Sequence, residues 1–246
     1  MIEVKNLQEI DVDALLKDVR RDSYQVIRGL LDAESIRDGV AQLKARFRIE
    51  DDNGSLDIRP EQIMGNFQKW AAGMMSPKST SLARLFRCFY NPLWCEDIYS
   101  LHQPFTALVE LRNYLQGIDL DYAKNVEENG LYSAVRIQNY PLGGGFMQAH
   151  TDYIGVDNLE KTDVKKFVQV LMVMSEKGVD YERGGAFIER DGERVFTEAG
   201  CQIGDVVVYD GATIHGVEDI DPHLPLKVNE VNGRVAGFAT LYKKWS

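Results

Sequence analysis

The sequence contains little cysteine and no regular cysteine framework. Its three cysteines, Cys88, Cys95 and Cys201, form neither an even set nor a closely spaced one. A disulfide-stabilised fold requires paired cysteines, so we predict three reduced thiols in a cytoplasmic protein. Cys88 and Cys95 would make half of a four-cysteine metal site, but the sequence offers no second pair.

Long apolar runs and an excess of basic residues are also absent. No stretch of about 18 apolar residues occurs, so we expect no membrane-spanning helix. Residues 1–19 carry charges throughout, and we therefore expect no signal peptide. The formal net charge of -10 disfavours binding to nucleic acid or to an anionic membrane. We predict a small-molecule substrate instead.

No linker, repeat or low-complexity tract divides the 246 residues, so we predict a single domain over residues 1–246. The front half, residues 1–130, is expected to be mainly helical, with an irregular segment over 48–80 that we interpret as a lid. Asp32 is a candidate N-cap for one of these helices. Other predicted helices cover 12–21, 81–90 and 97–117, and a strand covers 24–28.

The back half, residues 131–246, has a different texture. Short β-rich segments alternate with turn residues, and roughly eight strands at this spacing are typical of a sandwich or jelly roll. We therefore predict an α+β protein with a mainly β core. The predicted strands cover 131–140, 145–151, 167–175, 185–189, 194–197, 205–209, 213–217 and 233–242.

The strongest chemical signal is His150-Thr151-Asp152. Residues two apart in a strand point to the same face, so His150 and Asp152 are expected to point together. An isolated His-x-Asp is often only a buried histidine that donates to a neighbouring carboxylate. A third ligand would complete a metal site, and His215 offers one because it follows a strand and a tight turn. Two histidines and one carboxylate leave three positions open, which suits non-heme iron(II) better than hydrolytic zinc.

This pattern resembles the iron(II)- and 2-oxoglutarate-dependent dioxygenases, in particular the phytanoyl-CoA-hydroxylase-like branch. The residues that carry the likeness are His150, Asp152 and His215, together with Arg234 and the opening segment 24–31. The resemblance implies a double-stranded β-helix, which is a cupin-like jelly roll, with helices packed on one sheet. It also implies iron(II), 2-oxoglutarate as co-substrate, dioxygen, and hydroxylation of a small metabolite or natural-product intermediate with release of succinate and CO2.

The same resemblance makes Arg234 the residue that would hold the distal carboxylate of 2-oxoglutarate, because a guanidinium meets a carboxylate with two parallel hydrogen bonds. Gln138 and Tyr140, on one face of the preceding strand, would add hydrogen bonds to the oxoacid. Two features depart from the family pattern: a longer gap between His215 and Arg234, and Ala236 where the family often has Ser or Thr. Lys227 is an alternative cation for the same role.

Candidates for a substrate pocket are less well defined. They are Arg136, Gln169, Tyr153, Phe67 and Trp70. The retained Asp152 disfavours halogenation, since related halogenases replace this carboxylate with Gly or Ala. A cupin-type isomerase or a non-catalytic ligand-binding jelly roll would keep the three metal ligands without needing Arg234 or 2-oxoglutarate.

Overall fold

The computed structural model describes residues 1–54, 61–74, 82–152 and 168–244. The helices follow from local capping and periodicity. Asp32, the predicted N-cap, accepts hydrogen bonds from the backbone N–H groups of Glu34 and Ser35. The α-helices of the described ranges are α1 (Val12–Asp22), α2 (Ala33–Arg46) and α3 (His102–Gln116), with short 3₁₀ turns at Leu7–Glu9, Ile49–Asp51 and Gln62–Met64.

The strands agree closely with the pattern of alternating and turn residues in the back half. In chain order the described strands are β1 (Ile2–Glu3), β2 (Tyr24–Arg28), β3 (Asn53–Gly54), β4 (Phe67–Met74), β5 (Ala83–Tyr90), β6 (Leu131–Tyr140), β7 (Gly145–His150), β8 (Val168–Val173), β9 (Gly185–Arg190), β10 (Glu193–Phe196), β11 (Val206–Asp210), β12 (His215–Ile220) and β13 (Arg234–Lys243).

Strand order defines a double-stranded β-helix. The larger half of the sheet runs β1-β2-β11-β8-β13-β6-β5, with β4 beyond β5, and the smaller half runs β7-β12-β9-β10. Strand β5 joins them, because its residues 87–90 pair with β6 while Arg84 and Leu85 pair with β7. The predicted jelly roll with a mainly β core is therefore confirmed.

The helices cover one face of the larger half, as predicted, and the opposite face is left for a site. On β6, Val135 and Ile137 pack in the main apolar core with Phe105 of α3. Gly237 of β13 allows this close packing, because a Cβ there would lie 2.7 Å from Met172 Cε and 3.0 Å from the Phe105 ring. The alternate residues of β6 and β13 point to the other face.

One structural prediction for the front half is wrong. Residues 81–90 were expected to be a helix, but Ala83–Tyr90 form β5. Both faces of this strand are covered: Phe89 packs in the helix-side core and Tyr90 in a second apolar cluster. Apolar residues on both faces remove the period-two signal and leave a spacing that resembles a helix.

Two further sequence expectations concern the segment 48–80 and membrane-spanning helices. The segment 48–80, interpreted as a lid, contains the regular strand β4 within its described part. Within the described ranges, no helix is long and apolar enough to cross a membrane.

Candidate metal centre and active site

His150, Asp152 and His215 meet at the open end of the two sheet halves. His150 ends β7 and pairs directly with His215 at the start of β12. Asp152 is held just beyond β7, because its backbone N–H donates to the carbonyl oxygen of Gly211 at 2.9 Å. The short turn between β11 and β12 thus positions one ligand and anchors another.

The ligand atoms lie at a separation that one metal ion can bridge. Asp152 Oδ1 lies 3.4 Å from His215 Nε2 and 3.8 Å from His150 Nε2, and all three ligand atoms fall within 4.8 Å of one another. Two ligands that each lie about 2.1 Å from an ion are roughly 3 to 3.5 Å apart. Only a small contraction is needed to bind an ion.

Backbone carbonyls fix both imidazoles in the tautomer that binds metal. The Nδ1–H of His150 donates to Gln148 O, and the Nδ1–H of His215 donates to Thr213 O, each at 2.9 Å. A carbonyl oxygen only accepts, so the proton of the neutral ring resides on Nδ1 and the lone pair of Nε2 points to the site.

The charges of the three ligands are coupled. Burial favours the neutral form of Asp152, but its hydrogen bond and charge interaction with His215 outweigh burial and lower the pKa of the carboxyl. Burial and the nearby His215 lower the pKa of His150, which keeps this ring neutral. The pKa of His215 is raised because Asp152 outweighs the burial of the ring. Because a metal binds the neutral imidazole, metal binding would compete with protonation of His215.

A partly open cavity of about 80 Å³ lies in front of the ligands. Its walls come from both sheet halves, and much of the lining is apolar. Leu171, Phe187, Ile188, Val207 and Phe238 are among these apolar residues. Its polar lining includes Arg136, Gln138, Tyr140, Thr197, Tyr209, Arg234 and Thr240.

Arg234 lies in this cavity, but its fork already has a partner. Nε and Nη2 donate to the two carboxylate oxygens of Glu198 at 2.8 and 2.5 Å, and the two side chains are only 1% and 6% exposed. Tyr181 OH also donates to Glu198, at 3.1 Å. Arg234 Nη1 is buried and has no partner within the described residues. Arg234 therefore retains Nη1 for a ligand. The bidentate contact that the sequence analysis expected with the 2-oxoglutarate carboxylate is made with Glu198 instead.

Gln138 and Tyr140 line the cavity beside Arg234, as expected from their alternation on β6. Tyr140 pairs with Arg234 across the strands, and the guanidinium carbon lies 5.0 Å from the centre of the tyrosine ring. The Tyr140 hydroxyl donates to Gln138 Oε1 at 2.8 Å. Burial raises the pKa of Tyr140, so the hydroxyl stays protonated and remains a donor.

The substrate-pocket candidates separate into two groups. Arg136 lines the cavity, and Gln169 lies close to it, where it accepts a hydrogen bond from Thr240 Oγ1 at 3.2 Å. Phe67 lies on the face of β4 that is turned to the cavity, but it packs against Tyr90 and does not line the cavity itself. The placement of Trp70 in the pocket is wrong.

Trp70 points to the opposite face of β4, where Arg87 stacks 4.6 Å from its ring, because one residue along a strand reverses the face. Tyr153 lies outside the described residues. Lys227, the alternative to Arg234, is exposed and pairs with Glu230 at 3.7 Å, away from the cavity lining.

Sequence reasoning missed Glu198, Lys69 and Arg84. Glu198 lies 36 residues before Arg234, and no local pattern announces such a contact. Lys69 and Arg84 belong to β4 and β5, whose strand character was not predicted. Correct assignment of these strands would have placed both cations on the face of Cys88 and Gln138.

The sequence matches no family model and no curated protein. Its fold is similar to that of a prolyl-4-hydroxylase from Pseudomonas putida, with a TM-score of 0.54 and 16% identity over 93% of this chain and 97% of that one. A prolyl hydroxylase from Trichoplax adhaerens, solved with a peptide fragment of hypoxia inducible factor, gives a TM-score of 0.54 and 11% identity over 93% and 88% of the two chains. These likenesses support the double-stranded β-helix as the fold of this chain.

Proposed function

We propose that this protein is a non-heme iron(II)- and 2-oxoglutarate-dependent oxygenase that hydroxylates a small molecule. The observation that supports it most strongly is the triad of His150, Asp152 and His215, in which the two Nε2 atoms lie 3.8 and 3.4 Å from Asp152 Oδ1. With iron(II) and 2-oxoglutarate bound, a site of this kind couples oxidative decarboxylation of the oxoacid to oxidation of a C–H bond. The three side chains would occupy one face of the ion and leave the other positions to ligands.

The cavity fits a dicarboxylate co-substrate at its Arg234 end. Arg234 Nη1 is buried without a partner among the described residues, so an anionic oxygen could satisfy it. Arg234 and Tyr140 would orient the oxoacid chain, while the apolar walls would exclude water around the reacting carbon.

The Glu198–Arg234 pair favours a second candidate, a metal-binding jelly roll that does not use 2-oxoglutarate. In that case Glu198 would serve as the permanent partner of Arg234, and the cavity would bind only the metal and another ligand. A cupin-type isomerase and a ligand-binding protein both belong to this class.

Measuring succinate release separates the two candidates. Iron-loaded protein is incubated with 2-oxoglutarate and dioxygen, with and without a panel of small molecules. We expect slow release without substrate and faster release with a suitable compound, and no release from Asp152→Ala. Full iron occupancy with no succinate above the Asp152→Ala background would reject the oxygenase and leave the second candidate.

A further inference from the structure

Arg136 is a buried cation in the cavity that forms no ion pair with any of the described residues. Its side chain is 9% exposed and lines the cavity in front of the metal ligands. Of its five N–H donors, only those on Nη1 have an acceptor within the described residues, the carbonyl oxygen of Ala134 at 3.2 Å. The rings of Phe238 and Tyr242 lie 5.1 and 5.2 Å from the guanidinium carbon. These rings orient the guanidinium without neutralising it.

Two further cations share this face of the sheet. Arg136 pairs with Tyr90 across the strands, and Lys69 Nζ lies 5.6 Å from the centre of the same tyrosine ring. Arg84 is on the same face of β5 as Tyr90, and its Nε is buried without a partner in the described part of the chain. Burial, with the charges of Arg84 and Arg136, lowers the pKa of Lys69.

The two acidic side chains nearest the cavity form no ion pair with Lys69, Arg84 or Arg136 in the described part of the chain. Glu198 is committed to Arg234, and Asp152 is a metal ligand. Within the described residues, neither Lys69, Arg84 nor Arg136 forms an ion pair with a carboxylate. An unpaired buried cation is unfavourable, and its placement here, in a protein with a net charge of -10, is explained if an anion completes the site.

Arg136, the member of this cation cluster that lines the cavity, lies near the three candidate metal ligands and apart from Arg234. Phe238 lies opposite Arg136, and Thr240 follows it on the same face of β13. Thr240 bonds to Gln169, whose Cγ approaches Gly211 beside Asp152. Arg234, by contrast, lies four residues before Phe238, which is about 13 Å along a strand. An anion held by Arg136 would therefore be adjacent to the metal and separate from the Arg234 end.

We propose that Arg136, supported by Lys69 and Arg84, binds the anionic head group of the substrate, a carboxylate or a phosphate on an apolar body. This inference rests on the proposed oxygenase function and names the substrate class. The fork of Arg136 suits either anion, and Leu171, Ile188 and Phe238 would contact the apolar part.

Octanoate, octyl phosphate and octanamide are suitable probes, because they share an apolar chain and differ in head-group charge. Binding is measured as the shift in melting temperature of the iron-loaded protein under anaerobic conditions, with and without 2-oxoglutarate. Arg136→Met removes the cation, and Arg183→Gln is the matched control because Arg183 is an exposed arginine outside the cavity lining. Lys69→Met provides a second, independent variant.

We expect at least one of the two anions to bind tenfold or more tightly than octanamide to the wild type and to Arg183→Gln. Arg136→Met should lose this preference, Lys69→Met should reduce it, and both should keep the wild-type affinity for 2-oxoglutarate measured alone. Because an uncompensated charge is removed, Arg136→Met should melt no lower than the wild type.

Equal binding of all three probes by the wild type would overturn the proposal, as would a retained anion preference in Arg136→Met. Loss of 2-oxoglutarate affinity in Arg136→Met would assign Arg136 to the co-substrate instead. Failure of the proposed function is seen separately, as an iron-loaded wild type that binds no 2-oxoglutarate.

Discussion

Replacing Glu198 with Gln tests whether its carboxylate competes with a co-substrate for Arg234. The change keeps the size of the side chain and removes its charge, so Arg234 becomes a buried cation without a counter-charge and keeps at most one amide oxygen as acceptor. Loss of one member of a buried pair costs about 3 to 5 kcal/mol. At about 2 to 4 °C per kcal/mol for a chain of this size, the melting temperature should fall by roughly 6 to 20 °C.

The affinity for 2-oxoglutarate should change in the opposite direction. A co-substrate carboxylate at Arg234 would lie near Glu198, and two like charges about 5 Å apart repel by on the order of 3 kcal/mol at an effective dielectric constant of 20. Relief of even part of this repulsion should tighten binding at least tenfold, which corresponds to about 1.4 kcal/mol. The variant should therefore be less stable alone and gain more from the ligand.

Calorimetric titration of 2-oxoglutarate into the iron-loaded protein measures the affinity, and thermal melting measures the stability. Asp205→Asn is the matched control, because Asp205 forms a similar bidentate pair with Arg28 away from the cavity lining. It should lower stability without changing the affinity. Unchanged or weaker binding of 2-oxoglutarate to Glu198→Gln would refute the competition at Arg234.

Three other predictions concern the metal, the core and acid stability. His215→Ala should abolish iron retention after desalting, measured by metal analysis, whereas His223→Ala should not; equal retention would contradict the assignment. Gly237→Ala should destabilise the fold by about 1 to 3 kcal/mol in urea unfolding, since its Cβ would lie 2.7 Å from Met172 Cε; an unchanged midpoint would be inconsistent with that contact. The charge of Arg234 outweighs burial and lowers the pKa of Glu198. The pair therefore stabilises the protein fully above the carboxyl's unfolded pKa of about 4.3, and this contribution is lost as the pH falls through the lower folded pKa. The stability difference between the wild type and Glu198→Gln should shrink on acidification, and a constant difference would contradict this.

The metal ligands were predictable because their geometry is local. In His150-Thr151-Asp152 the period of a strand is enough to bring two side chains together. His215 required only a strand, a turn and a second strand, all visible as β11 and β12 in the sequence pattern. The jelly roll followed from the same alternation.

The charge balance of the cavity could not be predicted in the same way. The Glu198–Arg234 pair depends on the closure of the two sheet halves, which no single segment encodes. Lys69 and Arg84 lie on the cavity face of the sheet because β4 and β5 extend its larger half. Strand β5 has apolar residues packed on both faces, so its sequence lacks the alternation that would have revealed this extension.

Direct binding of 2-oxoglutarate tests the central claim most simply. The purified protein is loaded anaerobically with iron(II) and titrated with 2-oxoglutarate, beside Asp152→Ala treated in the same way. The triad and cavity predict one iron and one 2-oxoglutarate per chain for the wild type, and loss of both for Asp152→Ala. Stoichiometric iron binding by the wild type with no binding of 2-oxoglutarate would contradict the account.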